Sequence, residues 1–114
     1  MNRSTQTMQR ALDMLRQRNE GNNFPFIARD LAGRYLMLGL PHRAEAVAAE
    51  GARVAEARFV PGDDGFRYRE TILFLLATTQ AAALLDLDRL PEAAPLLHRA
   101  DSLWARLPSS SGQY

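Results

Sequence analysis

The sequence predicts an all-α fold, and three observations carry the prediction. Apolar residues recur at helical spacing in five segments, and no segment alternates with the period of a strand. Leucine and alanine supply most of the 46% hydrophobic content, and both lose little rotamer freedom in a helix. Proline and glycine stand at the junctions, where they start and stop helices. At 114 residues the chain is long enough for one hydrophobic core. It reads as a single domain over 1–108 followed by a polar tail over 109–114.

The first helix is expected from Met8 to Arg18, because Met8, Ala11, Leu12 and Leu15 share one face. Ser4, Thr5 and Thr7 are its candidate N-caps, and Glu20-Gly21-Asn22-Asn23 reads as the turn after it. Pro25 opens a second helix with the stripe Ala28, Leu31, Ala32, Tyr35 and Leu38, stopped by Gly39. Pro41 starts the third almost at once, with Ala44, Val47, Ala48, Gly51 and Val54 inward and Glu50 paired to Arg53 on the wet side. So short a connection folds the second and third helices into an antiparallel hairpin.

Val60-Pro61-Gly62-Asp63-Asp64-Gly65 is the strongest break, and its aspartates are expected to cap the fourth helix. That helix, about Phe66 to Leu87, is apolar on nearly every side, as a helix buried on both flanks would be. Pro91 begins the fifth, where Ala93, Leu96, Leu97, Ala100, Leu103, Trp104 and Leu107 line up and Pro95 predicts an irregular start. Pro108 closes it.

Composition and motifs narrow the functional classes. A net charge of +1 gives no general attraction to nucleic acid or to an anionic membrane. All basic residues are arginine and none is cysteine's partner in a metal site, since the chain has no cysteine. The longest apolar stretch, Ile72 to Leu87, is interrupted by Thr78, Thr79, Gln80 and Asp86, and a cytoplasmic protein is the default expectation. His42 and His98 lack a second ligand at helical spacing, with a structural role expected for His98. The pairs Asp63, Asp64 and Asp86, Asp88 lack the oxygen-rich loop that calcium requires. No serine sits in a nucleophile elbow and no phosphate-binding loop is present. Neither catalysis nor a cofactor or metal is therefore expected.

The two hairpins share a pattern. Leu31, Ala32, Tyr35, Gly39 and Ala44 place a large and a small residue together, an aromatic residue three later, a glycine at the turn and then an alanine. Matching Leu40-Pro41 to Leu90-Pro91 puts Ala81, Ala82, Leu85, Arg89 and Ala94 in the same places. This pattern resembles the tetratricopeptide repeat, although the matched prolines lie 50 residues apart where a repeat of that family spans about 34. A stack of about five antiparallel helices is expected, with a plain antiparallel bundle as the structural alternative. Where helices meet closely, enlarging Ala48 or Ala94 to leucine is expected to cost more than changing either histidine.

The resemblance implies a function by binding, in the concave surface formed by the first helix of each hairpin. That surface would present Phe26, Arg29, Gly33, Leu36 and Met37 from one hairpin and Leu76, Thr79, Ala83 and Asp86 from the other. Leu36, Leu76 and Ala83 are equally open to a core reading. The partner implied is a helix or peptide of another protein, bound by an adaptor or chaperone; the alternative is a ligand-sensing regulatory domain like the repeat arrays of bacterial transcription regulators. Two hairpins and a lone helix are also few for such a stack, so an uncovered flank of the fourth helix is expected, and with it a homodimer or a stable complex with a helical partner.

Overall fold

The computed structural model describes residues 3–18, 23–63 and 65–107. Five α-helices follow in order: α1 (Arg3–Arg18), α2 (Phe24–Met37), α3 (Pro41–Arg58), α4 (Arg69–Asp86) and α5 (Leu90–Arg106). A single 3₁₀ turn, Phe66–Tyr68, leads into α4, and there is no strand among the described residues. The all-α expectation holds. The expected turn at Glu20 to Asn22, the cap at Asp64, the stop at Pro108 and the tail over 109–114 lie outside the described residues.

Local chemistry explains most boundaries. Pro25, Pro41 and Pro91 each sit in the first turn of their helix, where a missing N–H leaves no intrahelical bond unmade. Helix α5 runs unbroken through Pro95, in place of the irregular start expected for it. Two expectations are corrected. Asp63 does not cap α4: its carboxylate accepts the Gly65 N–H at 2.9 Å and shapes the loop before the 3₁₀ turn. Glu50 does not pair along its own helix with Arg53. It accepts both arms of the Arg16 guanidinium from α1, at 2.7 and 2.5 Å, and that bond holds Arg16 above its ordinary pKa.

The two hairpin turns share one backbone geometry, one residue out of the register expected for them. Gly39 has φ 72° and Asp88 has φ 58°. Each lies in the left-handed region that ends a helix. The Leu40 N–H donates to the Tyr35 carbonyl at 2.8 Å, and the Arg89 N–H donates to the Leu84 carbonyl at 2.8 Å. Equivalent positions are thus 49 apart, Gly39 with Asp88. In that register Ala32, Tyr35 and Ala44 correspond to Ala81, Leu84 and Ala93, and all six are buried. Ala94, expected at the close contact, is exposed. Ala48 is fully buried as expected, while both histidines are exposed.

Packing runs along the chain. Each helix packs on its successor, and α2 also packs on α4; among the described residues no other helix pair approaches closely through its backbone. The helices therefore form an open stack with α1 and α5 at its ends. The main core runs from Leu12 of α1 through Leu31, Tyr35, Ala48, Phe59 and Leu76. A second cluster, Ala81, Leu84 and Ala93 with Leu96 against it, joins α4 to α5. Gly51 lies where α2, α3 and α4 converge: a methyl group there would stand 2.8 Å from the Ala28 Cβ and 3.2 Å from a Leu76 methyl. Helix α4 is covered by α2, α3 and α5, so the flank expected to be open on it is closed along Ile72, Leu73, Leu76, Ala77, Ala81 and Leu84.

Three substitutions test the corrected register. Ala93→Leu should destabilise the fold by about 1–3 kcal/mol through overpacking, while Ala94→Leu, one place along, should leave it nearly unchanged. Asp88→Gly should stabilise by roughly 1 kcal/mol, since glycine carries no penalty in the left-handed region. Urea titration of the three variants measures both.

Candidate functional site

The stack bends because its two sides are built differently. On one side α2 and α4 pack directly. On the other, among the described residues the backbones of α3 and α5 do not approach closely, and Arg99 reaches across to donate to Glu56 at 2.6 Å. The side with α2 and α4 is consequently the concave one. A cleft of about 690 Å³ lies there, lined by Thr5 of α1, by Arg29, Asp30, Gly33, Arg34 and Met37 of α2 with Leu38 after it, and by Thr79 of α4. A second recess of about 140 Å³ continues it past Arg29 and Asp30 to Phe26, Tyr68, Thr71, Ile72 and Leu75. Together they make one groove along α2.

Helical spacing sets the groove's composition. Phe26, Arg29 with Asp30, Gly33 and Met37 recur every three or four residues and so share one face of α2. Thr71, Leu75 and Thr79 do the same on α4. Phe26 closes one end, with its ring 5.8 Å from Phe59 and 6.0 Å from Tyr68, edge-on to the latter. Met37, 88% exposed, and Leu38 form the other end. Between them Arg29 and Asp30 pair at 3.3 Å. Arg34 has no acidic side chain within 4.0 Å among the described residues. Both Thr78 and Thr79 donate their hydroxyls to the Leu75 carbonyl, at 2.9 and 2.8 Å, a local bond that occupies the polar atom. At Gly33 the floor is open, for a methyl group there would meet nothing within 4 Å.

The structure brings together Phe26, Arg29, Gly33, Met37 and Thr79 from the set expected to line this surface. For Leu76 and Ala83, open between groove and core in the sequence, the groove reading is corrected: both have no exposed surface and belong to the core. Leu36 is half-buried and packs against that core. Asp86 is exposed at the end of α4 but does not line the groove. The error on α4 is one of phase. Its groove face carries 71, 75 and 79, whereas 76 and 83 point about a quarter-turn further, toward α3. Thr5, Asp30, Arg34, Leu38, Tyr68, Thr71, Ile72 and Leu75 were missed; the three-and-four spacing from Phe26 and Gly33 would have found Asp30, but nothing sequential sets the phase of a helix apolar nearly all round.

The groove offers apolar and amphipathic surface. Among the described residues no three His, Asp or Glu side chains gather at metal-binding distance, and no helix is long and apolar enough to cross a membrane. No protein-family model, curated protein or solved structure matches the chain.

The two mid-helix glycines should respond oppositely to a methyl group. Gly33→Ala should stabilise by about 0.5–1 kcal/mol, the ordinary helix preference for alanine. Gly51→Ala should destabilise, because Ala28 must shift to admit the new atom. Leu76→Ala should cost about 2–5 kcal/mol as a core truncation. Thermal and denaturant unfolding of the three proteins gives the signs directly.

Proposed function

We propose that this chain is a protein-interaction module, an adaptor or chaperone, whose α2–α4 groove takes an amphipathic helix from a partner protein. The observation that carries the reading is the open floor at Gly33 between two apolar ends. From Phe26 to Met37 the groove follows about 17 Å of α2, the length of about three helical turns. A partner helix with apolar residues at i, i+4, i+7 and i+11 reaches both ends at once, which is the usual way a helix is held in a groove. Its central residue is small or aliphatic, to lie over Gly33. An acidic residue beside that stripe meets Arg34, whose guanidinium is suited to a carboxylate. The open stack and its likeness in pattern to tetratricopeptide repeats, which bind on the corresponding surface, support the same reading.

Selection of peptides from a random display library against the immobilised full chain tests it. The enriched peptides should carry the amphipathic helical spacing with a flanking acid, and gain helicity on binding by circular dichroism. Gly33→Trp fills the floor from a half-buried position with open space above it and should weaken them at least about tenfold, equivalent to roughly 1.4 kcal/mol, without destabilising the fold. Peptides of no common spacing, or peptides indifferent to Gly33→Trp, would rule the groove out.

A further inference from the structure

The α5 end of the stack carries an apolar face that nothing in the described chain covers. Leu90, Leu97 and Trp104 are 59%, 40% and 61% exposed. They stand seven residues apart, so they form one stripe along the outside of the helix. Ala94 and Asp101 complete it, both exposed. Trp104 lays its ring 5.3 Å from that of Phe74 on α4, which joins the stripe to the neighbouring helix. Leu96, Leu103 and Trp104 are expected from the sequence to pack on α4; Leu103 is buried there, Leu96 packs against the second cluster, and Trp104 meets Phe74 while most of its ring stays exposed.

The repeat shows what such a face is for. In the 49-residue register, Leu97 and Trp104 correspond to Ala48 and Ala55, which are completely buried in the first hairpin, where α4 packs across α3. The second hairpin thus repeats a helix-receiving face and enlarges its side chains from alanine to leucine and tryptophan. The opposite end of the stack differs. On α1 the exposed residues are Arg3, Ser4, Gln6, Thr7, Arg10, Arg16 and Gln17, with Met14 the one large apolar side chain at 48%. That is a polar cap of the kind that ends a repeat stack.

We propose that the α5 face pairs with the same face of a second copy, α5 against α5 in antiparallel orientation about a two-fold axis near Leu97. The α5 end is apolar and the α1 end polar, so the stack ends join most favourably α5 to α5, and a contact of one face with its own copy closes as a dimer without growing into a filament. Asp101 fixes the direction. Parallel helices would set Asp101 against its own copy within the apolar stripe. Antiparallel helices centred on Leu97 hold the two carboxylates about 12 Å apart along the axis, beyond the Debye length of about 8 Å at physiological salt. They also set Leu90 opposite Trp104 at both ends. The α4–α5 face measures about 25 Å by 20 Å from helix dimensions, so two copies bury about 1,000 Å², at the lower bound of specific interfaces. The dimer is therefore expected to be reversible and to depend on concentration.

This proposal does not rest on the groove, and its test separates the two. Sedimentation equilibrium of the full chain from about 1 μM to about 1 mM should show a monomer–dimer equilibrium with a Kd inside that range. Leu97→Glu and Trp104→Glu should each raise that Kd at least tenfold, while Met37→Glu, in the groove, leaves it unchanged. Circular dichroism checks the fold of each, and Leu97→Glu serves alone if loss of the Trp104 contact to Phe74 unfolds the second variant. Because the chain has no cysteine, Leu97→Cys should form an interchain disulfide under mild oxidation and Asp101→Cys should not. A monomer throughout, a dimer indifferent to Leu97→Glu, or equal cross-linking at 97 and 101 would overturn the proposal.

Discussion

The absence of one side chain at Gly51 sets the geometry on which the stack depends. Helix α3 lies between α2 and α4, and at Gly51 the Ala28 Cβ and the Leu76 side chain come as close as bare backbone permits. Drawing α2 and α4 onto one point of α3 also brings those two helices against each other. Interiors are packed at crystal-like density, so a contact this tight fixes the relative position of three helices and leaves little freedom for alternatives. Ala32, Ala44 and Ala48, all fully buried, keep the same close spacing along the interface.

Concavity follows from an imbalance between the two sides. Direct packing shortens the side with α2 and α4. The far side is spanned by arginine–carboxylate bridges, Arg16 to Glu50 between α1 and α3 and Arg99 to Glu56 between α5 and α3. Exposed pairs of this kind contribute at most about 1 kcal/mol each, so they hold a spacing that the core has already decided. The curvature is therefore a property of the small residues inside, and the arginines outside follow it. The groove is the surface consequence: residues on α2 that face neither α1 nor α3 are left facing across to α4.

The two ends of the stack solve the same problem in opposite ways. Helix α1 covers the start of the core with Leu12, and the Tyr35 hydroxyl donates to Gln9 at 2.6 Å; its other face is polar. Helix α5 covers α4 with Ala93, Ala100 and Leu103 and shows leucine and tryptophan outward. An amphipathic helix has one apolar face to bury, whereas α5 carries two adjoining ones. That difference, not any single residue, separates a capped end from an open one.

Periodicity and helix punctuation made the five helices legible in the sequence: the prolines at 25, 41 and 91 and the glycine at 39 have the roles their chemistry demands. The α2 side of the groove was legible for the same reason, because Phe26, Arg29, Gly33 and Met37 fall on one face of an amphipathic helix. Three things were decided by tertiary structure. Asp88 takes the left-handed turn that glycine takes at Gly39, and since aspartate is only one of several residues that tolerate it, the repeat was matched one residue off at the more conspicuous prolines. Helix α4 is apolar nearly all round, so its pattern has no phase, and the sequence left Leu76 and Ala83 open between groove and core, where packing makes them core. Trp104 sits on a continuous apolar stripe of α5, yet only the width of α4 determines how much of that stripe is covered. Sequence spacing states which residues share a face; which neighbour that face meets, and how far the contact extends, is fixed by the packing of the other helices.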